Sequence, residues 1–204
     1  FFTFVMVTND ANTDKADRQV VKTNATKPVT PWEFMSSKFI YMLKSNMSIP
    51  GVKCIKAQTI AKNQVEQTLS HTVFVRLASP PNWITMNATY NPLERNVNGT
   101  ATKFTSVDNR TKEVTNYTLS FLKRCCAVVL KTKGKPPEGV RSSCELWVND
   151  IYFRPVAQVA RYVCQRNFEA HCGLKGGFSY DGKECNLPEV IYAPRMDDSS
   201  DLHI

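Results

Sequence analysis

The sequence predicts an all-β fold of eight short strands followed by one late helix, built either as a sandwich or as an up-and-down barrel. Three observations carry that reading. Short runs of alternating residues recur along the chain, broken by Pro, Gly and Asn. One later segment, 155–172, changes to helical spacing. At 204 residues the chain fills one good core, so a single domain is expected.

The opening Phe-Phe-Thr-Phe-Val-Met-Val and the polar run after it read as the remnant of a cleaved signal peptide over residues 1–13, with a flexible segment over 14–30. Thr30-Pro31-Trp32-Glu33 has the chemistry of a capped helical turn, Thr30 at the N-cap, Pro31 at the first position and Glu33 closing the box. Trp32 is expected to plug one end of the core. The strands are then expected at 39–44, 52–60, 72–77, 84–90, 103–107, 115–122, 126–131 and 143–148. In the helix, Pro155 opens the segment, Val156, Val159, Ala160 and Val163 fall at helical spacing, and Gly173 stops it. The sequence from Gly173 onward is polar and irregular.

Two features place the chain outside the cell. Six N-x-[ST] acceptor sites occur, at Asn24, Asn46, Asn87, Asn98, Asn109 and Asn116. Seven cysteines stand at 54, 125, 126, 144, 164, 172 and 185. No Cys-x-x-Cys pair is present, and adjacent Cys125 and Cys126 are poorly placed to share one ion, so no metal is expected. A disulfide framework with one thiol left over accounts for them better. No stretch after the first residues approaches the ~20 apolar residues of a membrane span. The excess of 26 Lys and Arg over 18 Asp and Glu is scattered, without an aromatic ladder beside it. It reads as a solvated surface rather than a nucleic-acid footprint.

The acceptor sites and cysteines also set strand faces. A glycan on Asn87 must point outward, and period-two alternation then turns Ile84, Met86, Ala88 and Tyr90 inward. Asn116 does the same for Tyr117, Leu119 and Phe121. If Cys126 and Cys144 pair with elements outside, Ala127, Val129, Glu145 and Trp147 face in. Tyr41 and Phe74 are further candidates for the lining, although no glycan anchors their facing. The alternative is a solid core. Glu145 favours a hollow, because an acid is almost never buried without a partner.

Eight strands and one late helix are the order of a lipocalin, which selects the antiparallel up-and-down barrel. Cys126-Ala127-Val128, then Glu145-Leu146-Trp147, then Cys164, with both spacers 16 residues long, resemble the signature of the tick salivary histamine-binding lipocalins. Trp32, the Phe-Ile-Tyr-Met-Leu run at 39–43, Cys54 and Cys185 support the likeness over about 150 residues. The resemblance implies a lipocalin domain over 31–185 and a flexible tail over 186–204. It also implies pairing of Cys126 with Cys164 and of Cys54 with Cys185. Cys144 and Cys172 would then form a third bridge and leave Cys125 free, either buried or as a link between chains.

By the same resemblance the protein is a secreted, salivary monomer that sequesters a small host mediator, histamine or another biogenic amine, and so suppresses host defence. The expected ligand contacts are Glu145, Trp147, Tyr117, Phe121, Tyr90, Met86, Leu119, Ala127, Tyr41 and Phe74, with no cofactor. One departure matters. The family signature has Asp after its first cysteine, and this chain has Ala127, so a fatty acid, eicosanoid or sterol competes with an amine. Docking of a host protein on the outer surface is the third possibility. An enzyme is not expected. His71, His171 and His203 accompany no nucleophile at recognisable spacing, and Glu145 lacks a second carboxylate in the motif.

Overall fold

The computed structural model describes residues 27–108, 112–134, 139–173, 177–182 and 185. The expectations for residues 1–13, for most of 14–30 and for 186–204, and the acceptor sites Asn24 and Asn109, lie outside the described residues. Thr30 caps a short helix α1 (Pro31–Met35): its hydroxyl accepts from the Glu33 N–H, and its own N–H donates to the Glu33 carboxylate at 2.7 Å. Eight strands follow: β1 (Phe39–Ser45), β2 (Val52–Asn63), β3 (Thr68–Leu77), β4 (Asn82–Arg95), β5 (Ala101–Val107), β6 (Val114–Lys123), β7 (Cys126–Lys133) and β8 (Arg141–Asn149). Two 3₁₀ turns, Asp150–Phe153 and Pro155–Ala157, lead into α2 (Gln158–Cys172).

Each strand pairs antiparallel with its neighbour in sequence, and β8 returns to β1, so the sheet closes into a barrel. Closure leaves few unpaired edges. The strands run longer than expected, most of all β3 and β4, because pairing carries them past the point where alternation stops being legible. Register shifts interrupt the pairing near Leu43, Ile60, Leu93 and Ser120. Each bulge reverses which residues face inward beyond it.

Two apolar clusters result. Inside the barrel, Trp32, Phe34 and Met35 of α1 pack with Ile40, Ala57, Leu69, Tyr90, Phe104, Ala127 and Val129, so α1 plugs one end. Outside, α2 lies against β6, β7 and β8, burying Cys164 and Phe168 over Val128, Leu146 and Val148. The buried face of α2 is not the one that the valines suggest. Val156 and Val159 are exposed, Ala160 and Val163 are half-buried, and Cys164 and Phe168 lie beneath. Covalent anchoring decides this, since Cys126–Cys164 and Cys144–Cys172 fix which side of the helix meets the wall.

The late segment is part of the wall. Strands β1 and β2 pair only over Phe39 to Tyr41 and separate above that. Residues 177–182 fill the gap: the Tyr180 N–H donates to the Leu43 carbonyl at 2.9 Å and the Asp181 N–H to the Lys53 carbonyl at 3.3 Å. Gly177 is required here, because a Cβ would collide with the Ser45 carbonyl. Cys54–Cys185 ties this segment to β2, and Cys125 is the remaining thiol, buried.

Candidate functional site

The barrel interior is where the sequence places its candidates, and strand register decides which of them reach it. From Leu69↔Tyr90 to Leu77↔Asn82 the β3–β4 pairing has no break. Tyr90 and Ala88 pack in the interior cluster, so Met86 and Ile84 face the same way, beside Val73 and Val75. Met86 is nonetheless 52% exposed and Ile84 42%. An inner wall that solvent reaches marks the open end of the barrel, opposite α1.

On β7 and β8 the register is likewise unbroken. Ala127 and Val129 are buried inside, Trp147 packs against the same cluster, and Glu145 is 3% exposed. Tyr117 and Leu119 on the adjoining β6 continue the same stretch of wall, paired with Lys131 and Val129. Three expected contacts are corrected. The bulge near Ser120 turns Phe121 outward into the cluster beneath α2, and Leu122 takes the interior position. Tyr41 also lies outside, its ring edge-on to Phe153 at 5.3 Å and its hydroxyl donating to Asp150 at 2.9 Å. Phe74 is buried, but on the face of β3 opposite His71 and Val73 and outside the interior cluster.

The buried carboxylate has a partner on each oxygen. Ser143 Oγ donates to Glu145 Oε1 at 2.7 Å and Trp147 Nε1 donates to Oε2 at 2.8 Å. Lys131 Nζ stands 3.7 Å from Oε1 and 6.0 Å from the centre of the Tyr117 ring. Burial works against the lysine charge, but Glu145 and then Tyr117 more than offset it and hold Lys131 above the ordinary lysine value. Next to this pair, Tyr117 and Tyr90 meet edge-on at 5.2 Å, and the Tyr117 hydroxyl shares a 3.2 Å hydrogen bond with Ser106. Burial first, then Tyr117 and Glu145, push the Tyr90 phenol well above its usual value, so it stays a neutral donor. The result is an apolar wall ending on one ion pair and two phenols, the few placed polar groups of a small-molecule pocket.

Deeper, His71 is fully buried against Tyr90, ring centres 4.9 Å apart. Its Nε2 lies 2.9 Å from the Met35 carbonyl and so carries the proton, while Nδ1 has no partner among the described residues. Burial lowers its pKa to about 4 against the opposing Met35 hydrogen bond, so the ring is neutral at pH 7.

Lys131, Ser143, Ser106 and His71 are absent from the sequence-based candidates. Lys131 and Ser143 were within reach of that reasoning, since each lies two residues from a position assigned inward. A recess of about 590 Å³ also opens at the plugged end, among Lys27, Glu33, Ser37, Arg124 and Asn149; it includes none of the expected contacts. The sulfurs of Cys125, Cys126 and Cys164 lie within 4.8 Å of one another, but two of them form a disulfide and offer no thiolate to an ion. Among the described residues no helix is long and apolar enough to cross a membrane.

A family described as tick histamine binding protein matches residues 21–186. Among solved structures, a biogenic amine-binding protein, crystallised as its selenomethionine derivative, is similar with a TM-score of 0.52 at 10% identity, covering 79% of this chain and 89% of that one. A serotonin complex of AM182 gives 0.49 at 17% identity, covering 79% and 95%. The tryptamine complex of the amine-binding protein of Rhodnius prolixus gives 0.49 at 8%, covering 72% and 84%. At 10% identity the first of these likenesses speaks for the fold alone. No curated protein matches the chain.

Proposed function

The chain belongs to the tick histamine-binding protein family, and from that premise we propose that it is a secreted carrier that takes a small host mediator into its barrel and withdraws it from host signalling. Family and fold are those of ligand-binding lipocalins rather than enzymes, and three disulfides suit an oxidising compartment. The observation that carries the reading is the solvent-reached inner wall of Ile84 and Met86, leading to the buried Glu145. A solid core would have no use for either. The family points to an amine as guest, and the apolar wall with Ala127 points to a lipid-like one. Residues proposed to touch it are Glu145, Trp147, Tyr117, Tyr90, Met86, Leu119 and Ala127. The test is mass spectrometry of small molecules released from protein secreted by a eukaryotic host, before and after exposure to host plasma. A guest present at near one per chain, and lost when Leu119→Trp fills the lumen, supports the proposal. Protein that carries nothing and takes up nothing overturns it.

A second reading, docking of a host protein on the outer surface, is favoured by the exposed apolar group Val156, Val159 and Tyr162. It expects a plasma partner whose retention fails in Val159→Asp while small-molecule uptake is unchanged.

A further inference from the structure

We propose, resting on the reading of the barrel as a ligand site, that Lys131 determines its specificity: it is a built-in ammonium that occupies Glu145, turns away monoamines and receives the anionic head of an amphiphile.

The register places it for this role. Lys131 follows Ala127 and Val129 at period two on β7, and the β7–β8 pairing is unbroken from Cys126 to Lys133, so its side chain belongs to the inner wall. It pairs with Ser143, whereas Glu145 pairs with Val129. The lysine therefore stands one step nearer the open end than the carboxylate. Exposure agrees: the Lys131 side chain is 31% exposed and that of Glu145 3%. A guest arriving through the open end meets the ammonium first.

The chemistry follows from what surrounds Glu145. Its two oxygens already receive Ser143, Trp147 and Lys131. A monoamine must displace Lys131 to reach it, leaving two ammonium groups to share one carboxylate, the like-charge arrangement that each disfavours. An anion has no such conflict, because an ammonium has three donors and, among the described residues, Lys131 is paired only with Glu145, at 3.7 Å. Tyr117 and Ser106 stand close by as hydroxyl partners. The apolar part of such a molecule would lie along Val73, Met86 and Leu119. A fatty acid and any other long-chain monocarboxylate share this chemistry.

Three probes of different charge test it on the full chain: cis-parinarate (anionic), tryptamine (cationic) and N-phenyl-1-naphthylamine (neutral). The wild type should bind cis-parinarate at least about tenfold tighter than tryptamine. Lys131→Met should weaken cis-parinarate and strengthen tryptamine, each by about tenfold or more, with the neutral probe unchanged within about twofold. Should Lys131→Met fail to fold with Glu145 unpaired, Lys131→Met combined with Glu145→Gln removes both charges. It should bind the neutral probe normally and lose the preference between the other two. If the neutral probe binds but the charged probes ignore both variants, or if the wild type prefers tryptamine, the role of Lys131 is refuted and the barrel remains a ligand site. If no probe binds the wild type, the ligand-site reading itself falls.

Discussion

His71 makes the stability of the barrel depend on pH in a window that can be worked out beforehand. Its imidazole is fully buried, and burial takes its pKa from the ordinary 6.5 to about 4. The unfolded chain therefore binds a proton between those values that the folded chain refuses, so stability rises with pH through the window and is lost on acidification from 6.5 toward 4. At ~1.4 kcal/mol for each pH unit, the ceiling is about 3 kcal/mol, and roughly 2 kcal/mol of it should be gone at pH 5. His71→Gln keeps a donor for the Met35 carbonyl but does not titrate. The assay is urea unfolding of the disulfide-intact protein at pH 7 and pH 5 for both chains. The wild type should lose about 2 kcal/mol more than the variant over that step. Acidic groups contribute equally to both chains and cancel. Parallel losses, within about 0.5 kcal/mol, would refute the assignment, as would an NMR titration placing the His71 pKa near 6.5.

Three other outcomes are expected. Breaking Cys54–Cys185, which closes a loop of 131 residues, should cost about 5 kcal/mol. Breaking Cys144–Cys172, with 28 residues, should cost about 3.5 kcal/mol; paired serine variants compared by urea midpoint check the order. Ala127→Leu adds volume at a position with no exposure and should destabilise by ~1–3 kcal/mol while reducing uptake of N-phenyl-1-naphthylamine, as read by fluorescence. Cys125, buried and with its thiol pKa raised by that burial, should react with a disulfide reagent only after denaturation. A non-reducing gel should show no covalent dimer.

Alternation, late helix and capping residues made the barrel legible in the sequence, because closure demands one apolar face from every strand. The interior assignments at Tyr90, Tyr117 and Glu145 came from asking which neighbours must face out. That reasoning assumes unbroken period two, and Phe121 shows its limit: a single extra residue near Ser120 reverses the face, and nothing in Leu119-Ser120-Phe121 announces it. Tyr41 and Phe74 had no outward anchor nearby, and a lone aromatic residue suits either face. Lys131 was hidden for another reason. It fell within the expected strand 126–131, but a lysine is ordinarily solvated, so the alternation that placed Ala127 and Val129 inward was not carried on to it. In α2 the valines suggested one face, and sulfur bonds selected another.

The barrel wall is not finished by its strands. Between the upper parts of β1 and β2 the closure is supplied by residues 177–182, clasped by the bond from Cys185 to Cys54. That seam rests on one covalent bond and a few main-chain hydrogen bonds rather than on a continuous ladder. Reduction of Cys54–Cys185 is therefore expected to free residues 177–182 before any of the paired strands part, turning a closed cylinder into one with a slit along β1 and β2.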